Sequence, residues 1–167
     1  TVSQLVDSAS GIHARHSEYY IRTVRGGNTD PLTQFMKDVG IPAEPDLGKP
    51  NTTTVFSFPT KSPHGAVTRT EMTAIDHLEY WLVFQRHWCE HKPSVTISVK
   101  ESEWMEVGAW VYKNFDEVSG ISFLPFSEHT YQQAPYQDIN EEQYKSFLEK
   151  MPSHINWSLL KEYEKED

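Results

Sequence analysis

Three stretches of this 167-residue chain carry groups that could do chemistry. Thr1-Val2-Ser3 opens a hydroxyl-rich run, TVSQLVDSASGIH, that reads as a helix over residues 2–9 stopped by Gly11. The first amides of a helix lack intrahelical partners, and the helix dipole adds about half a positive charge there, so Thr1, Ser3 and those amides could hold a phosphate. An ordinary capped helix accounts for the same residues. His87-Trp88-Cys89-Glu90-His91 offers metal-ligand types. On a helix His87 and His91 share a face while Cys89 points away, and no second cluster has zinc-like spacing, so a packing helix without a metal is expected. His129-Thr130-Tyr131-Gln132-Gln133-Ala134-Pro135-Tyr136 follows an apolar strand directly. Ligands of α/β folds sit beyond the carboxyl ends of strands, which makes His129 and Tyr131 site candidates. A surface loop whose tyrosines cover the core is the equal alternative. No G-x-S-x-G elbow, Walker loop or dinucleotide fingerprint occurs, so conventional hydrolase, NTPase and dehydrogenase chemistry lacks support.

The elements that must position these groups alternate between helix and strand. Glu18–Arg25 reads as a strand ended by Gly26-Gly27-Asn28, and Asp30-Pro31 caps a helix stopped by Gly40. Residues 40–51, dense in Pro and Gly, read as a long surface loop, and Thr52–Phe58 as a strand closed by Pro59. The longest helix is expected after Thr68, with Glu71 completing a capping box and Met72, Ile75, Leu78, Leu82 and Trp88 forming its stripe. Val95, Ile97 and Val99 alternate as a strand; Ser102 can cap the next helix, with the stripe Trp104, Val107, Val111 and Phe115. Gly120–Phe126 has the pattern of a strand covered on both faces, and Asn140 with Gln143 caps a final helix ended by Pro152. The order from Thr68 to Phe126 implies parallel neighbours and an α/β sheet or barrel, with too few strands to close a barrel alone.

Composition narrows the partners. A chain this long buries one ordinary core. Its net charge is −9, with Glu141, Glu142, Glu149, Glu162, Glu164, Glu166 and Asp167 concentrated near the end, which argues against general nucleic-acid binding. A mean hydropathy of −0.61, no apolar run near membrane length and the single Cys89 fit a soluble chain in a reducing, cytoplasmic setting.

Two groups of residues carry a family resemblance. TVSQLVDSASGIHAR followed by EYYIRTVR resembles a late segment of the catalytic subunit of ribonucleotide reductases. Trp88-Cys89-Glu90-His91-Lys92-Pro93-Ser94-Val95-Thr96, Val118–Pro125 and the YQQAPY loop resemble the adenosylcobalamin-dependent class, especially its monomeric triphosphate-reducing members. The resemblance implies that Thr1, Val2 and Ser3 belong to the substrate phosphate turn. It also implies that Gly120–Phe126 is the last strand of a ten-stranded α/β barrel, incomplete without upstream chain. Leu124, Pro125, Phe126, His129 and Tyr131 then line an active-site wall. By the same resemblance, Leu124-Pro125-Phe126 stands where class I enzymes carry an adjacent tyrosine pair for radical transfer. Residues 1–126 would supply barrel wall and connections, and 127–167 the C-terminal loop and helices.

The implied activity is reduction of ribonucleoside triphosphates by a thiyl-radical mechanism started by adenosylcobalamin. The implied partners are the N-terminal portion of the reductase, the ribonucleotide, an allosteric deoxynucleotide and a thioredoxin-like dithiol reductant. One cysteine cannot fill the family's three active-site cysteine roles, so no catalytic residue is expected in this chain. Thr1 is also a residue type that inteins require downstream of their splice point, and phage reductase genes host inteins. The sequence therefore suggests a C-terminal extein or a separately encoded half. Alternatives are an inert complementing fragment, a diphosphate-specific reductase, and an independent anion-binding protein.

Overall fold

The computed structural model describes Ser3, residues 6–127 and residues 131–164. In chain order the elements are β1 (Tyr19–Gly27), α1 (Pro31–Asp38), β2 (Ala43–Pro45), β3 (Thr53–Lys61), α2 (Ala74–His87), β4 (Thr96–Val99), α3 (Trp104–Lys113), β5 (Ser122–Pro125), β6 (Tyr136–Asp138), α4 (Glu141–Lys150) and α5 (Leu160–Tyr163). They form two compact units, Thr1–Glu18 with Pro63–His129 and Tyr19–Ser62 with Thr130–Asp167. Among the described residues no helix is long and apolar enough to cross a membrane.

In the first unit β4 and β5 pair in parallel, from Thr96↔Ser122 to Val99↔Pro125, with α3 as the crossover. This is the helix–strand–helix–strand order expected from the sequence. Its core is Leu78, Trp81, Ile97, Val99 and Val107, each at most 3% exposed. The Trp81 indole N–H donates to the Pro93 carbonyl at 3.0 Å, so the largest core side chain is also polar-satisfied.

The start of α2 lies five residues beyond the expected capping box. Thr73 and Asp76 form the reciprocal cap: the Thr73 hydroxyl accepts from the Asp76 amide at 3.1 Å, and the Asp76 carboxylate accepts from the Thr73 amide at 3.2 Å. Thr68 and Glu71 do bond as a cap would, but the Thr68 carbonyl takes both the Glu71 and Met72 amides and the chain turns. The helix proper opens only at Ala74, and its inward face is Ala74, His77, Leu78, Trp81 and Leu82. Ser102 likewise sits in a 3-10 turn, Glu101–Glu103, instead of capping α3. Glu103 precedes α3 without a side-chain cap bond to it; its carboxylate instead accepts from the Lys100 amide at 2.8 Å and from the Ala74 amide at the start of α2 at 3.1 Å. Of the stripe expected on α3, Val107 is buried while Phe115 is exposed, and Trp110 is buried instead.

The N-terminal segment is fastened to this core by two histidines. His13 Nδ1 lies 2.7 Å from the Ser10 carbonyl, and the Thr96 amide donates to His13 Nε2 at 3.1 Å. The ring is therefore held as the Nδ1–H tautomer. His77 Nε2 donates to the Ile12 carbonyl at 2.9 Å, and the two rings meet edge to face at 5.4 Å. Burial lowers the proton affinity of His77, and a charge on His13 lowers it further.

The second unit is a four-stranded antiparallel sheet of order β2-β3-β1-β6. β1 runs through the expected stop at Gly26-Gly27, which pair with Thr54 and Thr53. Gly26 is required by close approach, since a Cβ there would lie 2.2 Å from the Thr33 hydroxyl on α1. β3 continues past Pro59, because β2 pairs only with Thr54–Phe56 and leaves that side of β3 open beyond it. The stretch expected as a loop at 40–51 contains β2 and a turn in which the Asp46 carboxylate accepts from the Gly48 and Lys49 amides. The Arg25 guanidinium, 2.7 Å away, is the first cause that holds the Asp46 carboxyl below its usual range. The caps expected at Asp30 and Asn140 are both present.

Two outcomes follow from this packing. Trp81→Ala should destabilise the first unit by about 3–5 kcal/mol, read from denaturant unfolding. His77 binds protons less readily folded than unfolded, so its contribution to stability is full above the unfolded value near 6.5 and is lost as pH falls through the lower folded value. Melting temperature should therefore drop between pH 7.5 and 5.5, and His77→Gln should reduce that drop.

Candidate functional site

Strand alternation sorts the side chains of the parallel pair into two sets. Ile97, Val99 and Phe123 belong to the core shared with α2 and α3. Thr96, Ser98, Ser122 and Leu124 stand on the other face, where Ser98, Ser122 and Leu124 are exposed. The expected strand at Gly120–Phe126 is thus covered on one face only, because nothing else in the unit supplies a second layer among the described residues. Leu124 is 56% exposed.

Continuing the register by one residue sets Lys100 beside Phe126, whose amide donates to the Val99 carbonyl at 2.8 Å. Lys100 Nζ lies 5.6 Å from the Phe126 ring centroid, and the Arg69 guanidinium carbon lies 5.4 Å from it. Both cations are half-buried, as is the ring. Arg69 is placed by the backbone: its amide donates to the Arg15 carbonyl at 2.8 Å, and the Arg15 amide to the Val67 carbonyl at 2.9 Å. The cluster lies at the carboxyl ends of two parallel strands, the usual ligand side of an α/β sheet.

A second feature of this unit is an open cavity of about 570 Å³, lined by the turn from Asp7 to Arg15 together with Ala66, Val67, Met72 and Tyr80. Its charged lining is the pair of Arg15 and Asp7, whose Nη2–Oδ1 distance is 3.2 Å. Ser3 is helical, and its carbonyl accepts from the Ser8 amide at 2.8 Å while Asp7 adopts φ 49°. That six-to-one bond with a left-handed residue before it is a helix-ending motif. The helix expected over 2–9 therefore does not extend to Ser8 and Ala9, and Gly11, at φ 57°, makes a separate turn.

Of the expected site residues, Leu124 and Pro125 lie exposed on β5 and Phe126 follows them half-buried. Ser3 is half-buried, and Tyr131, 68% exposed, belongs to the second unit. Thr1, Val2 and His129 lie outside the described residues. Within the second unit the YQQAPY loop is anchored by Gln133, which is buried at φ 57°. Its amide group donates to Glu44 Oε1 and the Pro45 carbonyl, both at 2.9 Å, and accepts from the Leu47 amide at 2.9 Å. Tyr136 faces Arg22 and Tyr20 across β1. The loop's centre thus braces the sheet, while Tyr131 alone of its two tyrosines is exposed.

The HWCEH stretch is not helical throughout. α2 ends at His87, Trp88 is its C-cap, and the Cys89 amide reaches back to the Phe84 carbonyl at 3.0 Å. His87 and His91 therefore do not share a helix face, and Cys89 is not in a helix. Among the described residues no three His, Cys, Asp or Glu side chains are placed to hold a metal. Sequence reasoning missed Lys100 and Arg69. Lys100 was findable from the alternation past Val99; Arg69 has no sequence signal, since a lone bridge carries it.

No family model matches the chain. It is similar to the adenosylcobalamin-dependent ribonucleoside-triphosphate reductases of Euglena gracilis (28% identical over 160 residues, 95% of this chain and 22% of that one) and Lactobacillus gasseri (29% over 164 residues, 93% and 21%). The enzyme of the same name from Lactobacillus leichmannii is 28% identical over 160 residues, 93% of this chain and 21% of that one. A solved B12-dependent (class II) ribonucleotide reductase superposes with a TM-score of 0.80 at 24% identity, over 97% of this chain and 22% of that chain. The chain thus spans about a fifth of the length of the curated relatives it matches, and shares the α/β fold of the corresponding piece of that solved reductase.

Proposed function

We propose that this chain is the C-terminal part of the catalytic barrel of an adenosylcobalamin-dependent ribonucleoside-triphosphate reductase, which makes deoxyribonucleotides by thiyl-radical chemistry. The observation that carries this reading is a parallel strand pair with helices on one face only, within a chain similar along nearly its whole length to reductases of that name. In an α/β barrel the helices lie outside and the strands' other face looks inward. The inward face here is that of Thr96, Ser98, Ser122 and Leu124, continued by Lys100 and Phe126.

The parts of the machine divide accordingly. This chain supplies the substrate phosphate turn at Thr1, Val2 and Ser3 and the last barrel strand through Phe126. Leu124, Pro125, Phe126, His129 and Tyr131 belong to the active-site wall. Both ring nitrogens of His13 and Nε2 of His77 are already hydrogen-bonded, so those atoms are not placed to ligate cobalt. Cofactor contacts, the radical-bearing cysteine, the allosteric deoxynucleotide site and docking of a thioredoxin-like dithiol reductant are accordingly assigned to the remainder of the enzyme. Alone, the chain is inert and binds that remainder; diphosphate specificity is the second reading of the same site.

Mixing this chain with the complementing N-terminal polypeptide, adenosylcobalamin and a dithiol should give ribonucleotide reduction that neither part gives alone. No activity from a mixture that forms a stable complex would contradict the proposal. In that assembly Thr1→Ala and Ser3→Ala should raise KM more than they lower kcat, since phosphate contacts hold ground and transition states alike. A loss confined to kcat would remove the phosphate assignment.

A further inference from the structure

The helical layer of the first unit stops short over β5. On the face that α2 and α3 cover, Ile97 and Val99 of β4 are fully buried, at 0% exposure. Phe123 of β5 and Ile121 just before it pack against the same core, yet both are only half-buried. Ile97 and Phe123 are register partners, so the cover ends between two adjacent strands.

α3 shows the same gap from its own side. The Trp110 indole N–H donates to Glu79 Oε1 of α2 at 2.6 Å, which marks the flank that α2 occupies. At about 100° per residue, Trp104, Met105, Gly108 and Tyr112 stand about 120–160° round the helix from Trp110. That opposite flank is apolar and open. Trp104 and Gly108 are exposed, Met105 and Tyr112 are 87% and 86% exposed, and exposed Phe115 extends the patch into the turn after α3. The two charged residues of α3, Glu106 and Lys113, fall on the other side, about 40–60° from Trp110. A Cβ at Gly108 would meet nothing within 4 Å. Apolar side chains exposed singly are ordinary, whereas a row of them beside half-buried core residues marks an interaction site.

The sheet identifies the occupant. A strand added in parallel at the far edge of β5 needs a crossover of a dozen or more residues, usually a helix, lying on the covered face beside α3. The curated relatives have chain enough to supply it, since this chain spans about a fifth of their length. A second copy of this chain is disfavoured by the mutual repulsion of two net charges of −9.

We infer that this flank of α3, with Ile121 and Phe123 as its floor, is the docking groove for an amphipathic helix of the complementing N-terminal polypeptide. Gly108 is the point of closest approach, where a missing side chain lets the two helix axes come together. The source of the helix rests on the reductase reading. The groove belongs to the outer helical layer, on the opposite side of the sheet from Ser98, Ser122 and Leu124.

The test forms the complex of the 167-residue chain with the complementing N-terminal polypeptide, and reads its Kd by sedimentation and its contacts by hydroxyl-radical footprinting. Met105 and Tyr112 should be oxidised readily in the chain alone and protected in the complex. Gly108→Arg should leave the chain folded, because the position is open and arginine is the better helix former. The same change fills the groove and should weaken the complex about tenfold or more. Tyr112→Ser should also weaken it, and Lys113→Ala on the other side of α3 should not. A complex of unchanged affinity with Gly108→Arg, or one in which Met105 and Tyr112 are still oxidised, overturns the groove and leaves the reductase reading standing. Self-association of the chain alone that Gly108→Arg abolishes also overturns it, because the occupant is then a second copy. Failure of any complex to form removes the reductase reading and the groove's occupant with it.

Discussion

A parallel strand pair can bury only the face that its crossover helix covers, and the first unit is built around that constraint. α3 carries the chain from β4 back to β5, and α2 lies on the same side, so Ile97, Val99 and Phe123 go inward with Leu78 and Trp81. Everything on the other face is left to water or to another layer. The ladder has the same one-sidedness. Ser122 and Phe126 amides spend themselves on Val95 and Val99 carbonyls, at 3.3 and 2.8 Å. Strand geometry then turns the Phe123 amide to the far edge, while Pro125 has no amide to offer there. A new strand could ladder onto β5 before Pro125 but would lose a bond at it.

The second unit meets its constraints internally. Its four strands are all antiparallel, and Phe35, Met36, Ile41 and Phe56 form a core of their own beside α1. Gln133 joins the loop before β6 to the segment after β2, and Arg25 bonds both Asp46 and the Gln133 carbonyl. A buried side-chain amide with three partners is costly to lose, because each partner would then be left unsatisfied. The contrast is one of faces: the parallel pair of the first unit leaves a whole face bare, whereas in the second unit Gln133 and Arg25 join loop and sheet.

Much of the fold was legible in the sequence where a local rule has no rival. Asp30-Pro31, Asn140 with Gln143, and the alternation Val95-Ile97-Val99 all give the elements they announce. The failures come where two local rules compete. Thr68-Glu71 and Thr73-Asp76 are both capping sequences, and only the second opens a helix with Trp81 inside. HWCEH looks helical until Trp88 ends the helix, and Gly26-Gly27 looks like a turn until pairing with β3 holds it extended. The candidate site was half legible. Leu124-Pro125-Phe126 was marked by family resemblance, whereas Arg69 reaches Phe126 through a backbone bridge between distant segments, which no sequence period records.

The central claim is that the bare face and far edge of β5 are completed by the rest of a reductase barrel. Amide hydrogen exchange at Phe123, measured with and without the complementing N-terminal polypeptide, tests it most directly. The account predicts fast exchange in the chain alone and strong protection in the complex, while the Ser122 amide, already bonded to Val95, changes little. An unchanged, fast Phe123 amide in a complex known to form would contradict it.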